Sequence, residues 1–449
     1  MKKYILATIL SATMMYVQAQ EILSLEQCRQ MAIKQNKEIA AAAKQSDMAK
    51  YMVRSYRGNF FPDISLTGTG LYNTGTGTLA MEGGLLPVYT PDATGEMIET
   101  GSYAYFPGMS LSYKVRTIYS GGVSLEQPIY MGGKIINAFK MAKIQRDMAG
   151  ENERLTTTDI ILQTDEAYAG LVKANELKAV AEKYMEALNE LMKNVQTARK
   201  HGMRSQNDVL KVQVKLNECE LSVRRAENAI RLASMNLCHY IGCDLRGDLQ
   251  VESTLPEPGE MFAAADITSR PEYVMLDQQV QLAARQVKLN RSELLPQIGF
   301  GASYNYMHGF KFSDQYLFHK GTASLMLNVT IPVFHFGERI NKVKAAKAQL
   351  EQTRLEQENK NQLMQLELTQ AINNLDEAQL EKKIAERSLE QAEENMRVSR
   401  SQFNAGLETL SDHLEAQALW QQAYETKVDA SFQLYIKYIA YLKAAGKLL

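Results

Sequence analysis

Cysteine is scarce in this chain: four in 449 residues, too few and too scattered for a disulfide scaffold or a metal motif. Neither sign of charge is in surplus. Fifty Lys and Arg against 51 Asp and Glu leave a net charge of −1, without the basic excess that displaces counterions from phosphates, so nucleic acid is excluded as a partner. Long hydrophobic runs are missing as well. Past the N-terminus no window of 18 apolar residues occurs, and 45% hydrophobic with 22% charged residues at a mean hydropathy of −0.29 excludes a bundle of membrane helices. Catalytic signatures are absent too. None of the six histidines has metal-binding spacing, and His201, His239, His308, His319, His335 and His413 read as surface or loop residues. No Walker A loop and no Gly-x-Ser-x-Gly elbow occurs. Gly75-Thr76-Gly77-Thr78-Leu79-Ala80 superficially fits a dinucleotide fingerprint, but no helix and no βαβ unit follow. No enzymatic activity, cofactor or metal is expected.

What is present begins at the N-terminus. Lys2 and Lys3 precede an apolar stretch from Tyr4 to Val17, and Val17-Gln18-Ala19 offers small residues where a signal peptidase cuts. Residues 1–19 read as a signal peptide, because the stretch is shorter than the ~20 residues that span a bilayer. Any later membrane contact must use strands, since lipid admits only helices and closed barrels.

An internal repeat organises the rest. Asn36-Lys37-Glu38-Ile39 leading to Phe61-Pro62-Asp63-Ile64 returns as Arg270-Pro271-Glu272-Tyr273 leading to Leu295-Pro296-Gln297-Ile298, a shift of 234. Pro128-Ile129-Tyr130 with Gly133 returns as Pro332-Val333-Phe334 with Gly337, a shift of 204 that also pairs Gly202 with Gly406, Asp208 with Asp412 and Gly242 with Gly446. The loss of 30 between the shifts marks an insertion in the first copy. Each copy therefore reads as a helix, two strands and a long helical hairpin. In residues 20–245 these are helix 23–59, strands 62–72 and 119–129, hairpin 134–242 and an inserted surface loop 73–118. In residues 268–449 they are helix 270–293, strands 296–306 and 322–332 and hairpin 338–446, with a shorter loop from Met307 to Lys320. Residues 246–267, with Pro256 and Pro258, form a connecting belt.

The hairpins carry a heptad seam. Ala371, Leu375, Ala378, Ala385, Leu389, Ala392, Met396 and Phe403 keep coiled-coil spacing, as do Ala167, Leu171, Ala174, Ala181, Met185, Leu188 and Met192, and one polar interruption recurs as Lys178 and Lys382. Alternate alanines let helices approach closely, which suits a wall of antiparallel helices, although a solvated stalk explains the seam equally well. The strands alternate with period two: Ile298, Phe300, Ala302, Tyr304 and Tyr306 against Gly299, Gly301, Ser303 and Asn305. At ~10 residues each they have the length that crosses an outer membrane at a tilt, or that of an ordinary sheet with one buried face. Four strands cannot close a barrel, for which ~8 are needed, so a barrel must be shared between chains. Strand count alone does not choose two chains or three.

Taken together, the two-copy plan, the Pro62 and Pro296 strand starts, the Gln127-Pro128-Ile129-Tyr130 and Ile331-Pro332-Val333-Phe334 exits and the tip Phe403-Asn404-Ala405-Gly406-Leu407 resemble the TolC-type outer membrane efflux proteins. That resemblance implies mixed all-α plus membrane β architecture: a homotrimeric 12-stranded outer membrane β-barrel continued by a 12-helix periplasmic α-helical barrel. It further implies a passive exit duct for drugs, toxins or proteins, lying in outer membrane lipid and docked on a periplasmic adaptor (membrane fusion) protein and an inner-membrane RND or ABC transporter.

Site residues follow from the resemblance only at the hairpin tips. Asp412 and Glu415 match acidic positions that ring the periplasmic aperture, with Asp208 the repeat mate of Asp412; at i and i+3 they share a helix face, although Asp412 and Asp208 could equally begin solvated helices. Phe403 and Glu408 stand where relatives carry a Tyr and an Arg that latch the closed state. With polarity swapped, Arg204 is expected to pair with Glu408 or Asp412 as the latch. Gly202, Met203, Gly406 and Leu407 form the tips where an adaptor docks in the family. Cys238 and Cys243 invite a disulfide, but their repeat mates Leu442 and Lys447 favour two free thiols. The rival reading is a secreted periplasmic coiled-coil adaptor or structural protein.

Overall fold

The computed structural model describes residues 22–72, 74, 76–245, 249–259, 266–312, 315–316 and 320–448; the expected signal peptide lies outside them. The chain divides into a helical unit, Met1–Lys50, Ile144–Leu282 and Glu351–Leu449, and a strand-bearing unit, Tyr51–Lys143 and Ala283–Leu350.

The helix expected over 23–59 is two helices, α1 (Leu25–Gln35) and α2 (Lys37–Gly58). Asn36 makes the break. Its backbone is extended, its N–H closes α1 on Ala32, and its Oδ1 accepts from the amides of Glu38 and Ile39, so one side chain ends one helix and caps the next. Asn36 Nδ2 also donates to the Tyr240 carbonyl at 3.0 Å.

Helices α3 (Lys134–Lys200) and α6 (Glu338–Asn404), which precede and follow α5 (Pro271–Ser292) in the chain, each hold 67 residues, and each returns through a short turn, into α4 (Gln206–Ile241) and α7 (Leu410–Ala444) respectively. Gly202 and Gly406 adopt φ of 76° and 74°, and the following amides, Met203 and Leu407, reach back 2.9 Å to Ala198 and Gln402, a paired Schellman stop. Within the helical unit the seam residues are buried or half-buried, with Leu171, Leu188 and Leu375 fully enclosed. Lys178 and Lys382, the polar interruptions, turn to Glu182 and Glu386 one turn on.

Cys238 and Cys243 are joined in a disulfide, which corrects the expectation of free thiols. Gly242 (φ 77°) reverses the chain at the end of α4 and the Cys243 amide bonds back to Cys238, bringing the Cα atoms within 4.8 Å. The repeat carries no such pair because the chemistry is local to this cap.

The strand unit is built on β1 (Asp63–Tyr72), β5 (Met109–Met131), β6 (Gln297–Phe312) and β8 (Gly321–Thr330), hydrogen-bonded antiparallel in that order. Their apolar alternates share one uncovered face: Leu66 is 82% and Leu325 78% exposed. The register of β1 on β5 is reproduced by β6 on β8: Asp63 faces Glu126, and Gln297 faces Thr330, the same pair under the two shifts.

Residues 73–118, expected as a surface loop, are largely strand. β2 (Thr76–Met81) pairs with the early part of β5, and β3 (Gly84–Pro91) with β4 (Met97–Phe106) as a separate two-stranded ribbon. Leu85 faces Tyr105 and Pro87 faces Tyr103, a cross-strand apolar ladder that Gly and Thr content had hidden. The Gly75–Ala80 segment is thus strand at its described residues, with no helix behind it. The second loop also shrinks, since β6 runs to Phe312 and β7 (Gln315–Tyr316) folds back on it.

Candidate functional site: the hairpin tips

At the tips, α3 and α4 of the first copy meet α6 and α7 of the second. Leu188, Val195 and Val212 pack with Phe403, Leu410 and Leu414 in one hydrophobic cluster. This core fixes the polar groups above it.

Each returning helix starts from a hydroxyl cap. The Ser205 Oγ accepts from the Asp208 amide at 3.2 Å while the Asp208 carboxylate accepts from the Ser205 amide at 3.0 Å. That amide holds the Asp208 carboxyl below its ordinary value, with the Ser205 hydroxyl and the charges of Arg204 and Lys211 acting the same way. Thr409 and Asp412 repeat the arrangement: the Thr409 hydroxyl donates to Asp412 at 2.7 Å and accepts from its amide at 3.2 Å. Within one chain, Asp208 and Asp412 are therefore cap residues, and Glu415 stands exposed one turn further on.

Arg204 and His413 both lie against the Phe403 ring. The Arg204 guanidinium carbon lies 4.6 Å from the Phe403 ring centre, and the His413 ring lies on Phe403 at 4.9 Å and 9°. Arg204 thus meets the second hairpin through an aromatic face; among the described ion pairs it has none with Glu408 or Asp412. Glu408 lines the same cleft of about 940 Å³ as Arg204, Met203, Leu407 and Asp412, and its Oε2 is buried without a hydrogen-bond partner. Two further links join the hairpins: one Arg400 nitrogen donates to both Glu190 oxygens at 2.7 and 2.8 Å, and Lys211 donates to the Ser411 hydroxyl at 3.0 Å. Gly202, Met203, Gly406 and Leu407 are exposed at the ends of the turns.

His413, read from sequence as a surface residue, is 3% exposed. Its Nδ1 lies 2.9 Å from Ser399 Oγ and its Nε2 3.2 Å from Gln417 Nε2. Burial, aided by the Arg400 charge and opposed by Glu408, pushes the imidazole below its ordinary value. The sequence held one signal of this: Leu410, His413, Leu414 and Gln417 keep helical core spacing, and the repeat mate of His413 is the apolar Val209.

A second buried polar group went unread. Asp165, 0% exposed, accepts from Arg29 Nε at 2.8 Å and from a second Arg29 nitrogen, and the Tyr435 hydroxyl donates to it at 3.3 Å. Burial pushes the Asp165 carboxyl up while Arg29 and Tyr435 pull against the shift. Its repeat mate is Thr369, so the network has no counterpart that comparison of the copies could expose. Among the described residues no cluster of His, Cys, Asp and Glu could hold a metal ion, and no helix is long and apolar enough to cross a membrane.

Known proteins share this architecture. The chain is 25% identical over 260 residues to the outer membrane efflux protein BepC of Brucella suis, covering 57% of this chain and 56% of that one. It is 21% identical over 316 residues to the alkaline protease secretion protein AprF of Pseudomonas aeruginosa, covering 68% and 65%. The chain thus spans less than two thirds of either relative. The crystal structure of the Campylobacter jejuni CmeC outer membrane channel superposes with a TM-score of 0.76 at 16% identity, over 94% of this chain and 85% of that one, which shows the fold. The family described as outer membrane efflux protein matches residues 28–243 and 267–447, nearly the whole described chain, and the chain belongs to that family.

Proposed function

We propose that this protein is the outer membrane exit duct of a tripartite efflux or type I secretion system, passively conducting drugs, toxins or proteins delivered from the periplasm. One observation carries the reading: among the described residues β1 and β8 each leave a ten-residue edge unpaired, on a sheet whose apolar side is uncovered. In lipid each unpaired backbone group costs several kcal/mol, so the edges must be joined by other copies. Three copies give a twelve-stranded barrel, with the paired hairpins forming a twelve-helix wall in the periplasm. The partners are then a periplasmic adaptor protein at Gly202, Met203, Gly406 and Leu407, an inner-membrane RND or ABC transporter, and outer membrane lipid.

In this assembly Asp412 and Glu415 of three copies converge near the axis, with Asp208 beside them, and form an acidic aperture. Arg204, with Phe403 and Glu408, latches one hairpin to the other, which the guanidinium–ring stack supports. Detergent-extracted protein is expected to migrate as a heat-sensitive trimer and to conduct ions in planar bilayers. A water-soluble monomer recovered from the periplasm would refute the duct and favour a structural coiled-coil protein. Cross-linking from Met203 and Leu407 in intact cells is expected to capture an adaptor.

A further inference from the structure

The chain contains an internal template for the seam between its copies. Inside one chain the first repeat meets the second where β5 pairs with β6: Glu126 faces Gly301, Ser124 faces Ser303 and Val123 faces Tyr304. The free edges are the repeat mates of these two strands, since β8 mirrors β5 at a shift of 204 and β1 mirrors β6 at a shift of 234. The same shifts carry the β1–β5 register onto β6–β8 without a residue of slip, so the mapping holds where the structure permits a check.

We infer that β8 of one copy pairs antiparallel with β1 of the next in the register of β5 on β6, setting Asn328 opposite Thr69, Leu327 opposite Gly70 and Thr330 opposite Thr67. This inference rests on closure of the barrel by copies of the chain. Antiparallel order alternates through β1, β5, β6 and β8, so the incoming β1 has the direction that β8 requires. The register also keeps both faces intact. Leu327 and Val329 fall on the side of Leu66 and Tyr72, while Asn328 and Thr330 fall on the side of Thr67 and Thr69. A slip of one residue would turn every apolar side chain inward.

The template extends to the segment after β8. In the first copy the strand continues through a bulge, with Tyr130 facing Ile298 and Met131 facing Gln297. In the second, Ile331–His335 has no strand partner among the described residues, and Val333 and Phe334 are largely exposed. The seam gives these residues a partner, placing Phe334 opposite Ile64 and His335 opposite Asp63 of the next copy. It ends there. At the following position Gly132 packs so tightly on Ser292 that a Cβ would lie 2.5 Å from its carbonyl oxygen, whereas the mate, Phe336, holds a left-handed φ of 46° with 92% of its surface exposed. A phenylalanine cannot repeat that glycine contact, so the copies part after His335.

Disulfide trapping in isolated outer membranes tests the register. Facing residues in an antiparallel pair have Cβ atoms about 4.5–5.5 Å apart and those slipped by two about 7–8 Å, and a disulfide needs about 4 Å. The background is low, because Cys28 and Cys219 are buried and Cys238 is bonded to Cys243. The full chain bearing Thr69→Cys with Asn328→Cys, or Thr67→Cys with Thr330→Cys, is expected to give reducible ladders that stop at three chains. The slipped pairs Thr67→Cys with Asn328→Cys and Leu71→Cys with Asn328→Cys are expected to remain largely unlinked. Linkage favouring a slipped pair, or a heat-sensitive trimer in which neither facing pair links, overturns the register and leaves the duct standing. Absence of any oligomer in the parent protein overturns the duct itself.

Discussion

The two hairpin tips have the same length, the same turn and the same hydroxyl cap, yet they divide the work unequally. The first supplies most of the apolar mass at the junction: Tyr184, Leu188, Leu191, Met192 and Val195 from α3 and Val212 from α4. The second supplies the Phe403 and His413 rings and the Ser399 hydroxyl. Where the first has Val195 and Val209, the second has Ser399 and His413, bonded to one another inside the junction. A duplicated hairpin can thus keep one copy as a rigid support and let the other carry the groups that respond to charge, and each half of that contrast can be broken separately.

The largest effect is expected on the supporting side. Leu188 is fully buried, and Leu188→Ala removes three heavy atoms from a core that cannot refill the space, a loss of about 2–5 kcal/mol. Its repeat mate is already alanine, Ala392, half-buried, so the same shortening has been accepted on the second hairpin. Denaturant unfolding of the solubilised protein followed by circular dichroism measures the difference; a loss below ~1 kcal/mol would mean that the first hairpin is no more essential than the second. Next in size is the staple at the other end of the first hairpin. Replacing both Cys238 and Cys243 by alanine is expected to cost about 2 kcal/mol and to leave the tips unchanged, as the second copy manages with Leu442 and Lys447.

The features visible in the sequence were those that repeat. The heptad seam, the tip glycines and the strand starts at Pro62 and Pro296 recur at fixed shifts, and periodicity reports which face is buried. The features that stayed hidden are held by single side chains. Asn36 breaks a helix by bonding to three backbone groups, a role that composition does not distinguish from an ordinary helical asparagine. Asp165 needed Arg29 and Tyr435, 136 and 270 residues away, before a buried carboxylate made sense. Strands β3 and β4 were hidden because glycine, threonine and proline dilute their alternation, and only the cross-strand pairing of Leu85 with Tyr105 shows it. At the site, the capping roles of Asp208 and Asp412 were legible as an alternative, whereas the stack of Arg204 on Phe403 joins two separate turns and had no local signature.

On the responsive side, pH is the lever. The folded tip holds His413 below the ordinary imidazole value of 6.5, so it favours the neutral ring. At pH above 6.5 folded and unfolded chains are both neutral there and the stability is complete. As the pH falls through that value toward the lower folded one, the unfolded chain takes up its proton first and the tip weakens. Burial and the Arg400 charge oppose a charged ring, while Glu408 moderates the effect. Thermal unfolding between about pH 7 and pH 5 is therefore expected to show a fall in midpoint that is reduced in His413→Gln. An identical fall in both proteins would assign the pH response elsewhere.

The smallest effect separates an electrostatic latch from an aromatic one. Removing the charge in Arg204→Gln forfeits a half-exposed guanidinium–ring contact, about 0.5–1 kcal/mol, or a two- to fivefold change in the balance between joined and separated tips. Phe403→Leu preserves most of the apolar volume but removes the π face, so it is expected to shift that balance in the same direction. Because Phe403→Leu already removes the Arg204 contact, together with the His413 stack, the double variant should change little beyond Phe403→Leu alone. Arg204→Glu adds repulsion from Glu408 and Asp412 in the same cleft and should exceed both in single-channel conductance. Additive effects of Arg204→Gln and Phe403→Leu would show that Arg204 acts through a carboxylate after all, and equal conductance in Arg204→Glu and the parent would remove the latch altogether.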